Sequence, residues 1–197
     1  MRLAQLPVLL LILIFSLPAL LNSIGTGKVQ IDMTNFGKAW EEYTAQPDSE
    51  KALKIYAMLP GSKDEEIRLA AEIRPLINKS LNVLESRIFS GERTALQIAF
   101  RLLVIADSTL ETELAKILGN CIRFNARNFL QELKNHRDLV IDLSVIVCSF
   151  RLTQDGDTGG QELEKKSRQR ALEYIEDSDL KSIKKECLKT LKKCKIK

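Results

Sequence analysis

Few residues in this chain have types and spacings that could do chemistry. Its one histidine, His136, lies in the polar run Lys134-Asn135-His136-Arg137-Asp138. A catalytic triad or a zinc site sets histidine beside a nucleophile or further ligands. Here the neighbours are two cations and a carboxylate, which reads as a solvent-exposed turn histidine. No CxxC or HxxxH spacing occurs, and no metal or other cofactor is expected. Asp155-Gly156-Asp157-Thr158-Gly159-Gly160 starts like a calcium loop. With Asp155 as first ligand, however, the fifth ligand position is Gly159 and the twelfth is Lys166, where a bidentate glutamate is needed. An acidic, glycine-rich linker accounts for the run.

Glycoside hydrolysis would need two carboxyls facing each other across a cleft. The available clusters are Glu41-Glu42, Asp64-Glu65-Glu66 and Glu111 with Glu113. All fall at helix starts or on polar faces, where solvation and the helix dipole already account for them. There is no glycine-rich phosphate loop and no GxSxG elbow. The expectation is therefore a protein that is not an enzyme. The alternative is an envelope-associated, glycosidase-like hydrolase using those paired carboxylates.

Four cysteines, Cys121, Cys148, Cys187 and Cys194, are disulfide candidates if the chain is exported. Cys187 and Cys194 lie seven apart on one expected helix, a rise of about 10.5 Å against a Cα limit of about 7 Å for a bridge. Pairing those two is disfavoured; bridges from the last helix to Cys121 and Cys148 remain, as do buried free thiols. That helix sets Leu180, Ile183, Cys187, Leu191 and Cys194 on one side. Lys181, Lys184, Lys185, Lys189, Lys192 and Lys193 cover much of the rest. Such a face suits anionic lipid, a polyanionic polymer or an acidic partner; a solvated helix face is the plainer account.

The elements that must position these residues begin with a leader. Arg2 and the terminal amine precede an uncharged apolar run from Pro7 to Leu21, and Pro18 breaks helix just ahead of Asn22-Ser23. Residues 1–23 read as a secretory signal peptide, too short and too proline-interrupted for a bilayer span. An uncleaved N-terminal anchor is the alternative. The mature chain is expected outside the cytosol, periplasmic or extracellular, with no transmembrane span. Residues 24–160 carry 17 Lys+Arg against 19 Asp+Glu, whereas residues 161–197 carry 12 against 7. The chain's net +4 thus belongs to its tail, and the body offers no electrostatic footprint for nucleic acid. The expected partner is an unknown protein or an anionic envelope component.

From Thr34 onward the apolar spacing is helical. Phe36, Trp40 and Tyr43 share a face, Pro47 stops that helix, and Asp48 or Ser49 caps one carrying Ala52, Ile55, Tyr56 and Leu59. Ser62-Lys63-Asp64-Glu65 and Ser108-Thr109-Leu110-Glu111 read as capping boxes, Pro75 as a break or kink, and Ser90-Gly91 as a stop. Between Glu92 and Ala106 only Thr94, Gln97 and Arg101 interrupt an apolar surface, which predicts a central helix. Asn125 starts another helix. Leu139–Leu152 alternates as a strand would, but no partner strand exists, and it is assigned to helix. The predicted class is all-α, an array of packed antiparallel helical hairpins with a solenoid-like character. Its divisions are a helical core over 24–152, a flexible linker over 153–161 and a basic C-terminal helical pair over 162–197, docked on the core. The pair carries Leu163, Ala171, Leu172 and Ile175 on its first helix.

Trp40-Glu41-Glu42-Tyr43 with a following Pro and Leu59-Pro60, and Ile117-Leu118-Gly119-Asn120 with Asn125 and Phe129-Leu130, resemble exported bacterial α-helical proteins of HEAT-like, helical-repeat character. The resemblance covers about half of the mature chain. It implies fold and export, and it carries over no catalytic residue. The reading as a whole is an exported binding or scaffolding protein. Sequencing the N-terminus of the exported product should find Ile24 or Thr26, the residues after Ser23 and Gly25; an intact Met1 would instead mark an anchor.

Overall fold

A computed structural model describes residues 33–62, 73–150 and 157–196. Among these residues there are eight α-helices, two short 3-10 turns and no strand, so the chain is all-α. The leader, residues 63–65 of the capping box, the Asp64-Glu65-Glu66 cluster, and Asp155 and Gly156 of the acidic-glycine run lie outside the described residues.

Helix α1 (Met33–Ala45) turns Phe36, Ala39, Trp40 and Tyr43 inward at helical spacing. Trp40 Nε1 donates to Ser80 Oγ of α3 at 2.8 Å, fixing the angle between the two helices. Burial, reinforced by the negative charge of Glu92, pushes the Tyr43 phenol well above its ordinary range. Helix α2 (Ser49–Met58) is capped by Asp48, whose carboxylate accepts from Lys51 N at 2.8 Å. The hydrogen bond and charge of Lys51 hold that carboxyl below the usual range. Helix α3 (Ile73–Phe89) carries the inward stripe Ile73, Ile77, Leu81, Leu84 and Ile88, and it runs on from Pro75 to Phe89 without a break. It ends in a Schellman motif. Gly91, at φ +91°, lets its own amide reach Ile88 O and the Glu92 amide reach Arg87 O, both at 3.0 Å.

Helix α4 (Arg93–Ile105) is the central helix expected from its composition. Ala95, Leu96, Ile98, Ala99, Phe100, Leu102 and Ile105 are buried, and Thr94, Gln97 and Arg101 form the half-buried stripe. The helix packs against α2, α3 and α5 (Ser108–Asn135). The cap of α5 corrects the capping box read at Ser108: the cap is Asp107, whose side chain accepts from Leu110 N at 2.9 Å, and Ser108 is already helical. At Asn125 the backbone leaves helical geometry (φ −149°, ψ 58°), and its side-chain oxygen faces Asn128 N at 3.4 Å. A second helical segment of α5 therefore starts at Asn125, as expected, set off from the first by a kink.

The segment 139–152 departs from expectation. It holds the end of a 3-10 turn (Arg137–Leu139), then the five-residue α6 (Leu143–Val147), with Asp142 capping at Ser144 N. Helix stops at Val147, and carbonyls at and just after that end are met by a side chain. Arg168, wholly buried on α7 (Thr158–Glu173), donates Nη1 to Val147 O at 2.9 Å and Nη2 to Ser149 O at 2.6 Å. Its charge is met by the equally buried Glu164, one turn back. Burial pulls the guanidinium's pKa down, and Glu164 opposes that shift. Gly119 of α5 leaves the room: a Cβ there would stand 2.5 Å from Ile146 O and 2.6 Å from Arg168 Nη1.

Two further expectations about α7 need correction. The linker does not extend to Gln161, since Asp157 caps a helix that starts at Thr158, accepting from Gly160 N at 2.9 Å. Nor is Leu163 an inward residue: it is 71% exposed, and the inward positions are Glu164, Arg168 and Leu172. The last helix, α8 (Lys181–Lys193), follows a 3-10 turn at Ser178–Leu180 and packs on α5, α6 and α7.

Truncating Arg168 to Ala removes the buried cation beside Glu164 and the donors to Val147 O and Ser149 O, and should cost about 3–5 kcal/mol in urea unfolding. The Glu164→Met/Arg168→Met pair should cost clearly less than Arg168→Ala alone. Gly119→Ala, which overpacks the same point, should lose about 1–3 kcal/mol.

Candidate anionic-partner surface

The face that sequence reasoning singled out on the last helix exists, and it is held rigidly. Ile183, Cys187, Leu191 and Cys194 are buried against the body, so the apolar side of α8 is consumed by the core. Four polar or covalent anchors add to this packing. Arg137, beside the 3-10 turn, makes a forked pair with Glu186, its Nη2 and Nε lying 2.6 and 3.1 Å from Oε1. The bond to Glu186 pushes the Arg137 pKa up further. Lys184 Nζ donates to Ile175 O at 2.6 Å, and Lys165 Nζ reaches Cys194 O, just past the helix end, at 2.9 Å. The fourth anchor is a disulfide between Cys148 and Cys194, with a Cα separation of 5.4 Å.

The cysteine question therefore resolves into one bridge and two free thiols. Cys148, just beyond α6, is tied to the end of α8, while Cys121 and Cys187 are free and buried. Burial pushes both free thiols up to about 12. They stay protonated at neutral pH and lack the thiolate that redox chemistry needs.

Outward from this clamped base, Lys181, Lys184, Lys185, Lys189, Lys192 and Lys193 line a trough of about 610 Å³ around Leu188. The aliphatic stems form its walls and the ammonium groups of the five exposed lysines its rim, that of Lys184 being bound to Ile175 O. All six expected lysines are brought together, and all but the half-buried Lys184 are exposed. Apart from Lys184, none of the six makes an ion pair or hydrogen bond among the described residues. The contrast with Lys51, Lys54, Lys116 and Lys166, each paired with a carboxylate, is plain. Lys192 and Lys193 also complement the negative end of the helix dipole.

The carboxylate clusters are spread out. Glu42 pairs with Lys54 and Glu113 with Lys116, while Glu41 and Glu111 are exposed. Glu113 shares a groove of about 370 Å³ with Glu85, Asn78 and Asn82, a neighbour that sequence spacing did not give it. The Glu113 side chain remains 47% exposed there, which solvation and ion pairing explain.

His136 is the clearest correction. It is buried, not an exposed turn residue. Its Nδ1 lies 2.9 Å from Glu132 O and so must carry the proton it donates. The Tyr56 hydroxyl lies 3.4 Å from Nε2, and Phe100 stacks on the ring at 5.7 Å with a 6° interplanar angle. Arg101 lies 3.6 Å above the Tyr56 ring and donates to Tyr56 O and Leu59 O, closing the C-terminus of α2. Buried Glu132 takes a hydrogen bond from Arg93. The group locks α2, α4 and α5 together. The only hint in the sequence was a lone histidine after an amphipathic helix.

Among the described residues no cluster of three or more His, Cys, Asp or Glu side chains could hold a metal ion, and no helix is long and apolar enough to cross a membrane.

Thiol titration of the denatured chain should give two reactive groups without reductant and four with it. The bridge closes a loop with a sequence separation of 46, and Cys148→Ser or Cys194→Ser should each cost about 2–4 kcal/mol in chemical denaturation. Compared with known proteins, the chain matches no family model, and no similar curated protein or solved structure was found.

Proposed function

We propose that this chain is an exported, non-catalytic helical binding protein, held to an anionic component of the cell envelope by the lysine face of α8. The carrying observation is the trough itself: six lysines on one face of a helix whose other face is spent in the core. A helix in that position has nothing left to offer a partner except charge. The Cys148–Cys194 bridge supports export, because such bonds persist in oxidising compartments outside the cytosol. The leader over residues 1–23 and the resemblance to exported bacterial helical-array proteins point the same way. The array-like character rests on neighbouring pairs, α1 with α2 and α3 with α4, packed side by side.

Fractionation of expressing cells should place the protein with the envelope at low salt. Washing at about 1 M salt, where the Debye length falls to about 3 Å, should release it. Retention at that salt, or recovery from the cytosol, would contradict the reading.

A further inference from the structure

Resting on that reading, we infer that the trough of α8 takes a flexible linear polyanion carrying phosphate groups at repeated intervals, laid along the helix axis. The rim charges run from Lys181 to Lys193, about 18 Å of helix at 1.5 Å per residue. Leu188 lies among them. A chain with one charge per repeat meets several ammonium groups at once, and every contact after the first is effectively intramolecular.

The residue type narrows the ligand further. No arginine lines the trough. Lysine acts on phosphate as a hydrated point charge on a flexible stem, whereas the planar fork of arginine imposes two-point geometry. A rim built wholly of lysine tolerates changes in register and torsion, as a flexible polymer requires, and gives little hold on a single small anion.

The surroundings favour a polymer over a bilayer. An interfacial helix embeds an apolar face among the acyl chains. In α8 that face is Ile183, Cys187 and Leu191, all buried by α5, α6 and α7. The only apolar side chain on the trough is the half-buried Leu188. The most exposed large apolar residues, Ile141 and Tyr174, lie outside it. Nucleic acid is disfavoured by the same lining, since no aromatic ring is present on which a base could stack.

The test uses the full chain and four probes: long-chain inorganic polyphosphate, orthophosphate, phosphatidylglycerol vesicles and mixed-sequence single-stranded DNA. Polyphosphate should bind with log Kobs falling against log salt with a slope of about −2 or steeper, since each phosphate neutralised contributes about −0.7. Orthophosphate should compete only weakly. The variant K185Q/K189Q/K192Q should weaken polyphosphate binding at least about tenfold. K38Q/K79Q/K134Q removes the same charge from exposed positions on α1, α3 and α5 and should bind nearly as the parent does. All six substituted lysines are exposed, and circular dichroism with a melting curve checks that both variants fold.

If vesicles bind through the trough lysines and polyphosphate does not, the polymer inference falls while the anionic-partner reading stands. Tighter binding of DNA than of polyphosphate likewise overturns the inference alone. If both triple variants weaken every probe equally, or no probe binds at low salt, both fall.

Discussion

The C-terminal third of this protein hangs on one buried guanidinium. Arg168 has no solvent exposure, yet it carries a charge into a helical core, a placement that is costly unless the charge and its hydrogen-bond donors find partners. Glu164 meets the charge and the carbonyls of Val147 and Ser149 accept from Nη1 and Nη2, while Nε stays buried without a partner. Those carbonyls would otherwise be loose ends after a five-residue helix. Gly119 of α5 and Phe150, whose ring centroid lies 5.0 Å from the Arg168 guanidinium carbon, complete the box. Three helices from distant parts of the chain thus converge on one side chain, and α8 is laid over the result.

This arrangement shows why some of the fold could be read from the sequence and some could not. Local signals were legible. The polar stripe Thr94, Gln97, Arg101 identified α4 as central, Asp48 capped where a cap was expected, and a new helical segment starts at Asn125. Residues whose environment is built by distant partners were misread. His136 looked like a loop residue because its near neighbours are polar, while its partners Tyr56 and Phe100 belong to other helices. In the sequence Arg168 counts only as one charge of the basic C-terminal pair, and Leu163 groups with Ala171, Leu172 and Ile175 although it is exposed. Periodicity ranks positions by apolarity, and here an ion pair occupies the stripe that apolar residues would normally hold. The segment after Leu139 failed similarly, since its carbonyls go to a donor about twenty residues further on.

The lysine face was legible for the opposite reason: a helix that buries its apolar residues, all but the half-buried Leu188, leaves a nearly unmixed polar side, and periodicity alone identifies it. What the sequence left open was which cysteines bridge. Helical rise argued against Cys187 with Cys194, but the choice among the remaining pairings depended on where α6 ends. Arg168 binds the Val147 carbonyl at that end, and Cys148 next to it is bonded to Cys194 at the terminus of α8. The buried ion pair and the bridge are therefore parts of one construction.

That construction bears on the charge it supports. Lys181 with Lys184 and Lys185, Lys185 with Lys189, and Lys189 with Lys192 and Lys193 are like-charged pairs at neighbouring helical positions, each unfavourable by about 0.2–0.5 kcal/mol. An isolated helix of this composition would fray. Here burial of Cys187 and Leu191, the forked Arg137–Glu186 pair and the bridge at Cys194 hold the helix against its own repulsion. The ammonium groups are left pre-assembled and short of counter-charge. A polyanion laid along them relieves that repulsion without reordering the backbone, so most of the cost of organising the site is met in folding rather than at the moment of binding.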